Sequence, residues 1–296
     1  RENILVALNG EKHPILKKIV QEAKQITDKY VANVTFAPQQ MDFAQLVEKA
    51  DEVFIALHGR PGEDGALQAE LEKVGLPYNG SGVASSQITI NKYDTNEILL
   101  RNGFHVARHA LASSDVWKAD AKAFYDSICT NFQFPFIAKP VDDGCSSAVK
   151  KIRNREELEA FTEMIFRSDE LLLANPAKVL NLKAKEEFPR KKVFLLEELI
   201  VKKDAVHFLE ITGGMLTHLH ENGERTYEVF EASEALSEGD VLSLEEKFLA
   251  GEGQNITPAR YAKDPAERDR ISAVVKEELD KAARILNIEG YARIDA

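Results

Sequence analysis

The chain is poor in cysteine: Cys129 and Cys145 are the only two in 296 residues. Two thiols do not make the disulfide framework of a small secreted fold, so a reducing, cytoplasmic compartment is expected. Long apolar runs are also missing, and no stretch reads as a membrane span. The opening residues Arg1-Glu2-Asn3-Ile4-Leu5-Val6-Ala7 form a charged lead into a strand rather than a signal peptide, and the lack of an initial Met suggests a fragment. Basic charge is in deficit. With 38 Lys and Arg against 49 Asp and Glu, the net charge is −11. That balance excludes a general nucleic-acid surface and leaves room only for a local basic cleft, of the kind a polyphosphate needs. Neither an internal repeat nor a low-complexity tract is present.

What remains is an ordinary globular composition at a length that calls for two or three subdomains. Ile4 to Leu8 reads as a buried strand, Pro14 to Tyr30 as a helix, Val34 to Ala37 as a strand and Phe43 to Ala50 as a short helix. Val53 to Leu57 reads as another buried strand that runs into His58-Gly59. This alternation predicts a parallel sheet, with ligands beyond the carboxyl ends of its strands. Ala66 to Val74 should be helical and capped by Gly75, and Ser85 to Asn102 should form one helix ending at Gly103. Phe136 to Lys139 is a strand followed by the polar loop Asp142 to Ser147, and Ala148 to Ile152 resumes the strand. Glu156 to Phe166 is helical, the Lys-rich stretch 172–190 has the look of an insertion, and Val193 to Leu199 is a strand. A hairpin is expected around Gly213-Gly214. Asp264 and Pro265 should start a helix that reaches Leu286, and Tyr291 to Asp295 opens a last strand.

Four places carry chemistry-bearing residues. In Leu57-His58-Gly59-Arg60-Pro61-Gly62-Glu63-Asp64-Gly65, the glycines let backbone approach a ligand and the strand end puts His58 at a crevice; the same residues also suit a tight turn with a surface His. Lys139 stands at a strand end before a Gly/Ser loop, where an ammonium can hold a phosphate oxygen, although an edge-strand lysine in solvent has the same pattern. The loop is not a Walker A motif, which needs Gly-Lys-Ser/Thr opening a helix. Glu197 and Glu198 interrupt an apolar strand, either as an adenine hinge with Leu199 and Ile200 or as the wet face of an amphipathic strand. Arg293 and Asp295 alternate and share a face, which suits an oxyanion donor beside a metal ligand, or a surface ion pair. Lys247 reads by default as a helix-surface lysine. His218-x-His220 lacks a third ligand and reads as exposed, and Cys145, with no activating base in view, is a poor nucleophile.

The order of these pieces resembles the D-alanine–D-alanine ligase family of the ATP-grasp superfamily. The likeness is nearly continuous from His58-Gly59 through Gly62-Glu63-Asp64-Gly65, Leu67-Gln68, Gly75-Leu76-Pro77-Tyr78 and Gly80-Ser81-Gly82-Val83 to Lys92, Thr95 and Gly103. Lys139-Pro140, Gly144 and Ser146 match the family's ATP-covering loop, Glu245-x-Lys247-Phe248 its substrate loop, and Gly290-Tyr291-Ala292-Arg293-Ile294-Asp295 its penultimate catalytic strand. The likeness is weakest before residue 50 and across 172–190.

The resemblance implies an α/β ATP-grasp fold of three subdomains: an N-terminal parallel-sheet domain (1–91), a central subdomain (92–196) and a C-terminal catalytic subdomain (197–296). It implies ATP-dependent joining of two D-alanines through an acyl phosphate for peptidoglycan, with Mg2+ or Mn2+, in a cytoplasmic homodimer that binds neither nucleic acid nor membrane. Carried over by position, Lys92, Lys139 and Lys247 are phosphate lysines, and Glu197 with Glu198, Leu199 and Ile200 is the adenine hinge. Asp204 falls near the ribose acid and His58 near the first D-alanine. Arg293 is the transition-state arginine and Asp295 a metal ligand.

Three departures stand out. Cys145 occupies the place of a Ser that, like Ser146, belongs to the substrate-linking loop. Phe248 stands where many members have Tyr, which in this family goes with D-lactate as second substrate. Asn9-Gly10-Glu11-Lys12-His13 lacks the family's Gly-Gly-x-Ser-x-Glu pattern, leaving Glu11 as a stand-in acid. The family's remaining metal ligands follow the position of Asp295, so the chain as written is expected to be incomplete. Two other readings stay open: a different ATP-grasp carboxylate–amine ligase, and a non-catalytic nucleotide-binding module of a larger protein.

Overall fold

The computed structural model describes residues 21–22, 24–25, 40–144, 148–183, 186–202, 209–235 and 255–296. The chain divides into two units, Arg1–Leu46 and Val47–Ala296. In the first, Gln21, Glu22, Lys24 and Gln25 are helical, in keeping with the expected helix 14–30. Helix α1 (Phe43–Val47) follows Asp42, whose carboxylate accepts from the Gln45 amide at 2.8 Å. The strands expected at 4–8 and 34–37 lie outside the described residues.

In the second unit, helices α2 (Ala66–Val74), α3 (Val83–Ile90) and α4 (Lys92–Arg101) precede β1 (His109–Ser113), α5 (Ser114–Ala119) and α6 (Ala121–Asn131). Then come β2 (Phe136–Pro140), β3 (Lys150–Ile152), α7 (Arg155–Phe166), α8 (Ala174–Val179) and β4 (Val193–Glu198). These four strands form an antiparallel sheet in the order β1-β4-β2-β3. One face packs Phe136, Ala138, Phe194 and Leu196 against α6 and α7. Phe161 of α7 is fully buried there, edge-on to Phe194 and Phe188 at 5.1 and 5.3 Å between centroids. Residues 172–190 are therefore more than an excursion: Leu180 and Phe188 are buried in this core.

The second sheet contains β5 (Glu210–Leu219), β6 (Arg225–Val229), β7 (Ser233–Ala235), β8 (Asn255–Ile256) and β9 (Tyr291–Asp295), all antiparallel. The two halves of β5 pair with β6 and β7, and its other edge pairs with β9. Helix α9 (Pro265–Ile285) covers it, with Asp264 accepting from the Glu267 amide at 2.9 Å and Pro265 in the first turn.

Three expectations need correction. Gly213-Gly214 does not turn the chain; β5 runs straight through, and the hairpin to β6 closes at Glu221-Asn222-Gly223. Gly213 is instead required by packing, because a Cβ there would collide with Leu279 of α9. The helix expected over Ser85 to Asn102 is two helices. Asn91 is extended, at φ −92° and ψ 103°, and its side chain accepts from the amides of Tyr93 and Asp94, so it caps α4. Val53 to Leu57 is not a buried strand either. Val53 makes one parallel bridge with Tyr78, Phe54 is 71 % exposed and Leu57 is also exposed. Ile55 is buried, and its main chain is satisfied by the Asn79 side-chain amide rather than by a ladder. That bridge is the sole parallel pairing among the described residues.

Candidate active site

Lys139 and Glu197 face each other across the β2–β4 pair. Ile137 is directly opposite Glu197, and Lys139 is two residues further along β2, so both side chains project from one face. It is the face opposite the aromatic core. The Lys139 ammonium donates to Glu197 Oε2 at 2.5 Å, with the two side chains 17 % and 16 % exposed. The other carboxylate oxygen of Glu197 accepts from Asn96 Nδ2 at 3.1 Å. Asn96 was not singled out in the sequence. The signal was available, since it stands one helical turn after Lys92 and shares its face.

Lys92 opens α4, and its amide donates to the Val141 carbonyl at 2.9 Å. Its ammonium donates to the Asp143 carbonyl at 2.5 Å. Burial pushes the Lys92 ammonium down to about 8, the Lys139 charge adds to that, and Asp143, Asp142 and Glu197 oppose it. Such a lysine gains from any further negative charge brought beside it. Lys92, Lys139 and Glu197 are thus gathered at the head of the first sheet, as three residues from separate segments.

Around them sequence reading missed a second ring. Arg60 reaches Asp142 Oδ2 at 2.5 Å and Asp143 Oδ1 at 3.3 Å, and Lys191 reaches the same two carboxylates at 2.8 and 2.9 Å. His58 itself is 84 % exposed, with Nδ1 3.7 Å from Glu63. Glu198, the last residue of β4, and Ile200, two residues beyond it, are exposed.

Arg293 and Asp295 lie on β9, opposite Gly214 and Thr212 of β5, both on its exposed face. Arg293 Nε is 3.3 Å from Asp295 Oδ1, which also accepts from the Thr212 hydroxyl at 2.6 Å. The start of this strand is held by the loop at 78–82. Gly290, at φ +69°, packs on the Gly80 backbone, Ser81 Oγ accepts from the Glu289 amide at 3.0 Å, and Asn79 Nδ2 donates to the Tyr291 hydroxyl at 3.2 Å. The glycine-rich loop therefore docks β9. Among the described residues, no three acidic, His or Cys side chains gather into a metal shell. Asp295 supplies one carboxylate with Arg293 beside it. Cys145, Ser146, Asp204, Lys247 and Phe248 lie outside the described residues.

His218 and His220 make no metal pair: their Nε2 atoms meet Glu228 and the Thr226 hydroxyl, both at 2.9 Å. A cavity of about 510 Å³ beside the first half of α9 is lined by Glu231, Pro258, Ala259, Tyr261, Arg268 and Lys276, none of them a candidate catalytic, nucleotide or metal residue. No helix among the described residues is long and apolar enough to cross a membrane.

Residues 6–81 match the family model described as the D-ala D-ala ligase N-terminus, and residues 98–177 match the D-ala D-ala ligase C-terminus. Together the two matches cover more than half of the chain. The chain belongs to the D-alanine–D-alanine ligase family.

Within that family, it is 31% identical over 249 residues to the D-alanine--D-alanine ligase of Leptospira interrogans serogroup Icterohaemorrhagiae serovar Lai, over 83% of this chain and 60% of that protein. It is 30% identical over 248 residues to the enzyme of the same name from Syntrophobacter fumaroxidans, over 84% of this chain and 66% of that protein. The chain therefore spans less than two thirds of these relatives. Among solved structures, the VanG D-Ala:D-Ser ligase of Enterococcus faecalis superposes with a TM-score of 0.58 at 23% identity, over 83% of this chain and 59% of that one. The D-alanine-D-alanine ligase of Coxiella burnetii gives 0.54 at 20%, over 83% and 54%. The fold is that of the ATP-grasp ligases. The family match begins at residue 6, so the segment where the likeness was expected to be weakest is part of it. His58 and Lys139 fall inside the matched spans, whereas Lys92, Glu197, Arg293 and Asp295 fall outside them.

Proposed function

We propose that this ligase-family chain belongs to an ADP-forming enzyme that joins two D-amino acids, of the D-alanine–D-alanine type, for a peptidoglycan precursor. The observation that carries the reading is the convergence of Lys92, Lys139 and Glu197 on the non-core side of the β2–β4 pair. Activating a carboxylate with ATP puts charge on a moving phosphoryl group, and the protein's part is to position and neutralise it. Two lysines, one held partly desolvated, can do that. Glu197, already satisfied by Asn96, is placed to accept from an exocyclic amine once Lys139 turns to phosphate. Glu198, Leu199 and Ile200 would supply hinge backbone and Asp204 a ribose contact, with Lys247 a third phosphate cation. His58 would border the first D-alanine, with Cys145 and Ser146 in the covering loop.

Arg293 would stabilise the oxyanion when the amine attacks the acyl phosphate. Asp295 would be one ligand of Mg2+ or Mn2+, which when bound neutralises phosphate charge. Phe248 in place of Tyr removes a hydroxyl from the second-substrate pocket and supports tolerance of D-lactate. A cytoplasmic homodimer and the subdomains 1–91, 92–196 and 197–296 belong to the same proposal.

The test is phosphate release with ATP, magnesium and a panel of D-alanine, D-serine and D-lactate. Release that requires D-alanine is expected. Absence of release with every member of the panel, alongside measurable ATP binding, would overturn the substrate assignment.

A further inference from the structure

We infer that Arg60 and Lys191 are positioning residues for the nucleotide site: they clamp Asp142 and Asp143 from two sides and so fix the carboxyl end of β2, from which Lys92 takes its place. The inference rests on the proposed nucleotide site, and neither cation is one of the phosphate lysines named above.

Both cations stand on fixed platforms. Arg60 lies in a turn closed by main-chain bonds from Gly62 and Glu63 to the Gly59 carbonyl, both at 2.8 Å. The Glu63 carboxylate accepts from the Gly59 amide at 2.7 Å, and the buried Gln68 donates to the Gly62 carbonyl at 2.7 Å. Asp64 anchors Arg60 Nε at 3.2 Å, leaving the other two nitrogens of the guanidinium for the loop. Lys191 is tied by its amide to the Ile165 carbonyl at 2.9 Å, at the end of α7.

Gly144 follows the two acids, with open space where a Cβ would stand. Arg60 and Lys191 face three carboxylates, those of Asp64, Asp142 and Asp143, and the last two also favour the charged form of Lys92. Although burial opposes it, Lys191 and then Arg60 hold the Asp142 carboxyl below its usual range. The clamp reaches the lysine through the main chain. Arg60 Nη1 donates to the Asp142 carbonyl at 3.0 Å, and the next carbonyl, that of Asp143, receives the Lys92 ammonium. Releasing the carboxylates frees the carbonyl that orients Lys92. It also breaks the link between this site and the turn that carries His58, two residues before Arg60.

The test is ATP–magnesium affinity by calorimetry. Arg60→Ala should weaken binding about tenfold, within the usual span of coupling between sites. The double variant Asp142→Asn/Asp143→Asn should weaken it similarly, and adding Arg60→Ala to it should change nothing further, because the three residues act as one unit. The swap Arg60→Asp/Asp142→Arg should recover most of the loss, which a merely destabilised fold would not. Unchanged affinity in Arg60→Ala would overturn the inference. So would tighter binding in the Asp double variant, since the acids would then be competitors of phosphate. If the unaltered protein binds no ATP, the proposed function falls instead. The clamp is then judged by the same combination of variants in thermal unfolding, where strict additivity would overturn it and non-additivity would support it.

Discussion

Lys92 enters the free protein with its proton loosely held, and nucleotide binding should tighten that grip. The ordinary lysine value of 10.5 is pushed down to about 8, first by burial and then by Lys139. A polyphosphate at the ammonium restores the charged form. If the value returns to its ordinary level, the 2.5-unit difference is worth about 3.4 kcal/mol. ATP affinity should then be flat below pH 7 and fall about tenfold per pH unit above 8. At pH 8, where the free ammonium is half protonated, binding should take up about half a proton. Calorimetric titration in two buffers of different ionisation enthalpy measures that uptake directly. The phosphates of the nucleotide are already ionised there and add little. In Lys92→Met the uptake should vanish. Zero uptake in the unaltered protein at pH 8, or uptake that survives in Lys92→Met, refutes the reasoning. Stability gives an independent check. The unfolded chain keeps this proton up to about 10.5 while the folded chain loses it above about 8. Between those values the unfolded state binds more protons, so stability rises with pH through this group, and the Met variant should lack the rise.

Gly290→Ala should cost about 3 kcal/mol in denaturant unfolding, since Gly290 combines φ +69° with a Cβ position 2.6 Å from the Gly80 amide nitrogen. Glu197→Gln leaves the Lys139 ammonium without its carboxylate and should lose about 2 kcal/mol of stability, with a higher KM for ATP. Asp264→Ala removes the cap of α9 and should cost about 1 kcal/mol with no change in nucleotide affinity. Phe248→Tyr should lower D-lactate use relative to D-alanine in the phosphate-release assay.

Elements whose signals are local were legible. Ala66–Val74 with its Gly75 cap, the Asp264-Pro265 start of α9 and strands β2, β4 and β9 all fall where spacing and capping residues put them. Elements whose form is set by distant partners were not. Gly213-Gly214 has the composition of a turn, but what decides its shape is Leu279 arriving from α9. Asn91 looks like one more polar residue on a helix until its side chain turns back to cap α4. Phe188 sits in a Lys-rich stretch that gives no hint of burial, and the ring of Phe161 is what buries it.

The candidate site divides along the same line. Residue types and their order by themselves determined the family and nominated the individual lysines, acids and arginine as candidates, because each is carried by a short contiguous motif. Tertiary structure alone decided which of them meet. Lys92, Asn96, Lys139, Asp143 and Glu197 come from two strands, a helix and a loop. Arg60 joins Asp142 across 82 residues of sequence. Electrostatic work depends on separations of a few ångströms in partly desolvated surroundings. Those separations follow from strand register and packing, which no single stretch of sequence contains.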